Sequence, residues 1–155
     1  MNINIPGFGQ QDINHVVFDY NGTIACDGEL LSGVKEEINT LSDQINFHVI
    51  TADTFGFVKT QLQDVNTALT IISNDNQDRK KLDYINTLGA DQTLCAGNGA
   101  NDKLMLKQAC IGIAVLGNEG LASSSLAAAD LLVKDILDVF RFFKTPQRLI
   151  ASLRT

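Results

Sequence analysis

The sequence predicts an open α/β sandwich of three layers, with helices on both faces of a mainly parallel sheet. Two observations carry that expectation. Short apolar runs alternate with amphipathic stretches from one end of the chain to the other. The runs are also continuous and rich in β-branched residues, which is how strands buried on both faces of a parallel sheet read. A third observation is punctuation: the runs end in Gly, Asn, Asp or Thr, and glycine (12) far outnumbers proline (2), which suits many tight strand-to-helix turns.

Taken in order, the predicted strands are HVVF (15–18), FHVI (47–50), ALTII (68–72), TLCA (93–96), IGIAV (111–115) and LLV (131–133). The predicted helices between them cover 34–41, 57–65, 81–88, 103–109 and 136–143. The segment 81–88 is the clearest, because Leu82, Ile85 and Leu88 fall on one stripe of a 3.6-residue period. Such alternation implies right-handed crossovers. No Pro- or Ser-rich linker and no repeat divides the chain, so residues 1–155 read as one domain, with 1–13 as a loosely ordered arm.

Composition narrows the function classes. Hydrophobic residues make up 45% and charged residues 19%, which sets disorder aside. A net charge of −6 argues against nucleic acid or an anionic membrane as the main partner. No basic segment followed by an apolar run suggests a signal peptide, and no apolar stretch approaches the ~20 residues of a membrane span. Cys26, Cys95 and Cys110 are odd in number and lack metal-type spacing, so they read as free thiols in a reducing cytoplasm. His15 and His48 read as solvated strand-start residues.

In open α/β sheets ligands bind beyond the carboxyl ends of the strands. The residues there are Asp19-Tyr20-Asn21-Gly22-Thr23, Thr51-Ala52-Asp53, Ser73-Asn74-Asp75 and Gly97-Asn98-Gly99-Ala100-Asn101-Asp102. Small polar and acidic side chains gather on one edge. Asp19 leaves a buried strand for a glycine-containing turn, where a carboxylate can act as a nucleophile and form an aspartyl-phosphate; alone, it reads equally as a turn aspartate. Gly22 lets the backbone approach a phosphate closely. Thr51 offers a hydroxyl with neighbouring amides for phosphoryl oxygens. Lys81, with Arg79 and Lys80 beside it, offers a cation against developing charge. Oxygens from the GNGAND turn, together with Asp19, suit Mg²⁺, a cation that takes hard oxygen ligands.

These elements, in this order, resemble the haloacid dehalogenase superfamily. Its pattern is an Asp-x-Asp-Gly-Thr loop, a Thr or Ser after the second strand, a Lys, and a Gly-Asp-Gly-x-Asn-Asp loop. The segments GNGAND, IGIAVLGNEG, AADLLV and PQRLIASLR look similar to the soluble proteins related to the phosphorylation domain of P-type ATPases. The resemblance implies a Rossmann-like fold and a Mg²⁺-dependent hydrolase, a phosphatase working through Asp19. It further implies metal ligation by Asp19, the Asn21 carbonyl, Asn98 and Asp102. Phosphate binding falls to Asn21, Gly22, Thr51, Ala52, Lys81 and Asn101, with Asp19, Asn21 and Lys81 as the catalytic group. Lys81 is preferred to Lys80 because apolar Tyr84, Ile85 and Leu88 follow it at helical spacing.

Two departures temper this. Asn21 stands where the family usually has a second Asp, the general acid–base, whose help is typically worth ~10²–10⁴ in rate. Asn98 stands where it usually has a metal-binding Asp. Both changes point toward slow turnover, and they keep open a second reading, a weakened regulatory or binding module. A two-component receiver also pairs a phosphorylatable Asp with Thr and Lys, but carries that Asp after its third strand. Asp19, Thr51 and Lys81 are spaced by about thirty residues, so the family's large cap is absent. Residues 24–31, with Asp27-Gly28 as the turn, read as a flap hairpin. A capless site admits a large partner, a phosphorylated small molecule or a phosphoprotein, or relies on a second subunit in a homo-oligomer. Phe140, Phe142 and Phe143 suit the core better than such an interface.

Overall fold

The computed structural model describes residues 1–53 and 56–155. An antiparallel hairpin comes first, β1 (Asn2–Ile5) with β2 (Gly9–Asp12). Then follow β3 (His15–Asp19), the short pair β4 (Ala25–Cys26) and β5 (Glu29–Leu30), α1 (Val34–Leu41) and β6 (Asn46–Thr51). Next are α2 (Val58–Gln61), β7 (Ala68–Ile71), α3 (Gln77–Leu88), β8 (Thr93–Gly97), α4 (Lys103–Gln108) and β9 (Ile111–Val115). The chain finishes with α5 (Ser123–Ala128), β10 (Leu131–Val133), α6 (Leu137–Lys144) and α7 (Pro146–Leu153). Six strands form one sheet in the order β10-β9-β8-β3-β6-β7, every neighbouring pair parallel.

The strand pleat sorts the core into two layers. Val16 and Phe18 of β3, with Leu94 and Ala96 of β8, face the larger cluster beneath α1, α6 and α7. Val17 and Cys95 face the other way and meet Ile85 of α3 and Met105 and Leu106 of α4. This is the three-layer sandwich the apolar runs predict. Phe140 is fully buried, its ring 5.4 Å from that of Phe18 and 6.0 Å from that of Phe47. Phe142 is buried beside it, so this aromatic cluster belongs to the core.

Four expectations need correction. Residues 1–13 are no loose arm: Ile3, Ile5 and Ile13 are buried, and the Thr155 amide donates to the Pro6 carbonyl at 3.1 Å. The alternation of Ile3 and Ile5 is too short to read as a strand without the surface that it covers. Two helices escaped the pattern. In α5 the sequence SSSLAA has a single large apolar residue, and α7 is a short helix begun by Pro146. The helix predicted over 57–65 is a single turn, α2. Finally, His48 is not solvated: it is buried, with His15 at 3.0 Å and the Tyr84 hydroxyl at 2.9 Å. Burial, and then the His15 charge, push its pKa down to about 4. Among the described residues no helix is long and apolar enough to cross a membrane.

Candidate active site

Parallel pairing brings the polar strand ends together. Asp19 is in register with Ile50, one residue before Thr51, and Ala96 of β8 lies opposite Phe18. The loops after β3, β6 and β8 therefore open on one edge. There a cavity of about 240 Å³ is lined by Asp19, Asn21, Thr51, Asn98, Asn101 and Glu119, with Ala52, Gln77 and Gly99. A larger hollow of about 360 Å³, bordered by Asn46, His48 and Thr67, lies at the opposite edge and shares none of these groups.

At the base of the cavity stands an ion triad. Lys81 Nζ is 2.5 Å from Asp19 Oδ1 and 2.6 Å from Asp102 Oδ1. Lys81 is fully buried; burial by itself opposes its charge, but the two carboxylates outweigh that and hold its pKa above the usual lysine range. Asp102 is pushed up, first by burial and then by the Asp19 charge. Lys80 points elsewhere, to Ser73 and Asp75. The lysine that reaches Asp19 is thus Lys81, carried by a helix that starts at Gln77, four residues earlier than the predicted 81–88.

The other predicted residues fall as follows. Thr51 is buried, and its Oγ1 accepts from the Asp53 amide at 3.0 Å. Asn98 Nδ2 donates to the Gly120 carbonyl at 3.0 Å, which turns Oδ1 toward the Thr23 hydroxyl at 3.1 Å. Thr23 Oγ1 also lies 3.3 Å from Asp19 Oδ2. Asn101 Nδ2 donates to Gln77 Oε1 at 2.5 Å. Gly22 has φ +80°, and a Cβ there would lie 2.2 Å from the Asn98 amide, so glycine permits this close approach. Asp102, the other expected metal ligand, has both oxygens engaged: Oδ1 accepts from Lys81 Nζ and Oδ2 from the Gly99 amide at 2.8 Å.

The fit of a hard cation can be judged from the donors. Asp19 Oδ2 and Asn98 Oδ1 converge on one hydroxyl, and Asn21 Oδ1 is buried without a hydrogen-bond partner among the described residues. These are all oxygens, and two carboxylates against one ammonium leave a net negative charge. That set suits Mg²⁺.

Three residues at the site were missed from sequence. Gln77 sits one helical turn before Lys81, and that spacing is a signal that could have found it. Thr23 lies inside the DYNGT segment, where only its burial reveals that it links two loops. Glu119 had no signal beyond its place in the loop after β9. The flap forms as predicted: β4 pairs with β5, Asp27 (φ +52°) and Gly28 (φ +83°) make the turn, and the Tyr20 hydroxyl donates to the Gly28 carbonyl at 3.0 Å.

Solved structures with a similar fold include octulosonate 8-phosphate phosphatases and a haloacid dehalogenase-type hydrolase. The cobalt-bound deoxy-D-mannose-octulosonate 8-phosphate phosphatase of Haemophilus influenzae superposes with a TM-score of 0.68 at 14% identity, covering 92% of this chain and 90% of that one. The 3-deoxy-D-manno-octulosonate 8-phosphate phosphatase of Moraxella catarrhalis, in complex with magnesium, phosphate and its sugar, gives 0.65 at 16% identity over 92% and 87%. A haloacid dehalogenase superfamily (subfamily III A) hydrolase of Legionella pneumophila gives 0.65 at 13% over 91% and 87%. The chain shares the fold of these hydrolases.

In sequence, the chain is 41% identical to the Methanocaldococcus jannaschii protein MJ0072 over 39 residues, 25% of this chain and 89% of that protein. It is 43% identical to MJ0073 of the same organism over 61 residues, 39% of this chain and 66% of that protein. The chain belongs to the same family as MJ0072. No protein-family model matches it.

Proposed function

We propose that the protein is a phosphohydrolase that takes the phosphoryl group of a phosphate ester onto Asp19 and passes it slowly to water. The observation that supports this reading most is the Asp19 carboxylate, seated in the wall of the cavity with one oxygen held by buried Lys81. Lys81 holds Asp19 by Oδ1 and aims it, so that Oδ2 is left for chemistry. The Thr51 hydroxyl, which accepts from the Asp53 amide, keeps its own hydrogen to donate to a phosphoryl oxygen. The side-chain amides of Asn21 and Asn101 line the same space.

Asp19, the Asn21 carbonyl and Asn98 would hold Mg²⁺, with Asp102 acting through Lys81. The bound ion would screen the repulsion between the Asp19 carboxylate and an incoming phosphate. Magnesium and phosphate in the Moraxella structure, and cobalt in the Haemophilus one, fit this assignment of a divalent cation. With no cap over the edge, the substrate is either a phosphorylated small molecule or a phosphoprotein side chain.

Slow turnover is supported by Asn21, whose carboxamide gives the leaving oxygen no acidic proton from the position where the family usually has an Asp. The test is phosphate release from p-nitrophenyl phosphate with Mg²⁺, set against Asp19→Asn. Wild type should release phosphate and form an acid-stable, hydroxylamine-labile adduct. The variant should lose at least ~10³ of the rate. Wild type showing neither release nor adduct would favour the binding-module reading, which Asn21 and Asn98 keep alive.

A further inference from the structure

Asn21 leaves the site without its expected proton carrier, and the cavity wall contains a replacement. Among the nine described residues that line the cavity, only Asp19 and Glu119 have titratable side chains. Asp102 cannot serve, because it is fully buried and both its oxygens are engaged by Lys81 and the Gly99 amide. Resting on the reading of Asp19 as nucleophile, we propose that Glu119 is a catalytic residue, the general acid for the leaving group and the general base for water.

The steps balance. In the first, an Asp19 oxygen bonds to phosphorus, the bond from phosphorus to the ester oxygen breaks, and that oxygen takes the proton of Glu119. In the second, water attacks phosphorus, the bond to Asp19 breaks, and the water proton goes to the Glu119 carboxylate. Glu119 ends as it began.

The loop that carries Glu119 is fastened to the site on both sides. Leu116 and Gly117 amides donate to the Val133 and Lys134 carbonyls, at 2.9 and 3.2 Å. The Ala122 amide donates to the Asn98 carbonyl at 2.8 Å, and Asn98 Nδ2 returns a bond to Gly120. Glu119 Oε1 accepts from the Asp27 amide at 2.8 Å, which joins the loop to the flap; Oε2 has no hydrogen bond among the described residues. The titratable groups around Glu119 are Asp27 and Cys26 on the flap and Asp19 across the cavity. The Cys26 thiol is pushed up, by burial first and then by the Asp27 and Glu119 charges, so it stays protonated. Among the described residues no cation pairs with Glu119.

A purely structural Glu119 would only clasp the flap, and Glu119→Gln separates the two roles. Glutamine keeps an oxygen for the Asp27 amide but carries no exchangeable acid proton. With p-nitrophenyl phosphate and Mg²⁺, nitrophenolate leaves without needing a proton, so the variant should still give a burst of about one nitrophenol per site. Its steady-state phosphate release should fall by ~10²-fold or more, and the limb of the pH profile that belongs to Glu119 should disappear. Adding Asn21→Asp to that variant should restore release. Release within twofold of wild type, with an unchanged pH profile, would overturn the proposal. So would loss of the burst and of thermal stability together, the mark of a clasp. If wild type itself gives neither burst nor adduct, the nucleophile reading fails, and this one with it.

Discussion

Lys81 is a single ammonium between two carboxylates in a place water does not reach. Breaking one partner out of a buried ion network typically costs about 3–5 kcal/mol, because the charges left behind stay desolvated. Lys81→Met should therefore lower the unfolding free energy by that order, read as a drop in the urea midpoint, and should abolish phosphate release. The triad also shows what residue-level reading can reach. Asp19, Thr51 and Asn98 were legible because each follows a strand in a fixed order, and Lys81 because apolar residues follow it at helical spacing. Thr23 and Glu119 were not, since a hydroxyl in a turn and a carboxylate in a surface loop are ordinary until a cavity wall assembles around them. Asp102 was legible as a member of the site, but its partner, the ammonium, was not.

At the scale of elements, α4 is what holds Asp102 in place, and α4 is seated on β9 through a glycine. A Cβ at Gly112 would lie 2.1 Å from the Leu106 carbonyl, a backbone atom that cannot swing away. Gly112→Ala should force α4 off the sheet, at a cost of about 1–3 kcal/mol. The measurement is a urea melt, expected to show a lower midpoint with an unchanged slope. Because Asp102 immediately precedes α4, the same change should slow phosphate release even though Gly112 touches no site residue. The main strands and the helices α1, α3, α4 and α6 were predictable from period and run length. The N-terminal hairpin, α5 and α7 were not, because each is short and owes its form to the surface it covers.

Over the whole molecule, a second polar network ties the sheet to a helix away from the site. His15 of β3, His48 of β6 and Tyr84 of α3 form a chain of hydrogen bonds. Below pH ~6.5 the unfolded chain protonates its histidines, whereas folded His48 resists until about 4. The unfolded state then binds more protons, so stability should fall as pH drops through that window and level off beneath it. Urea midpoints from pH 7 to 4 should follow that slope, and His48→Gln should flatten it. A slope unchanged by the substitution would remove His48 as its source.

The sequence by itself determined the sandwich, the order of the polar strand ends along the chain and Asp19 as the candidate nucleophile among them, because burial on both faces and turn chemistry are written in local composition. Only the tertiary structure decided which lysine meets Asp19, that Asp102 serves that lysine, that His48 is buried, and that Glu119 shares the cavity with Asp19. Each of these is a contact between segments remote in sequence, and parallel strand register, not local preference, sets which of them meet.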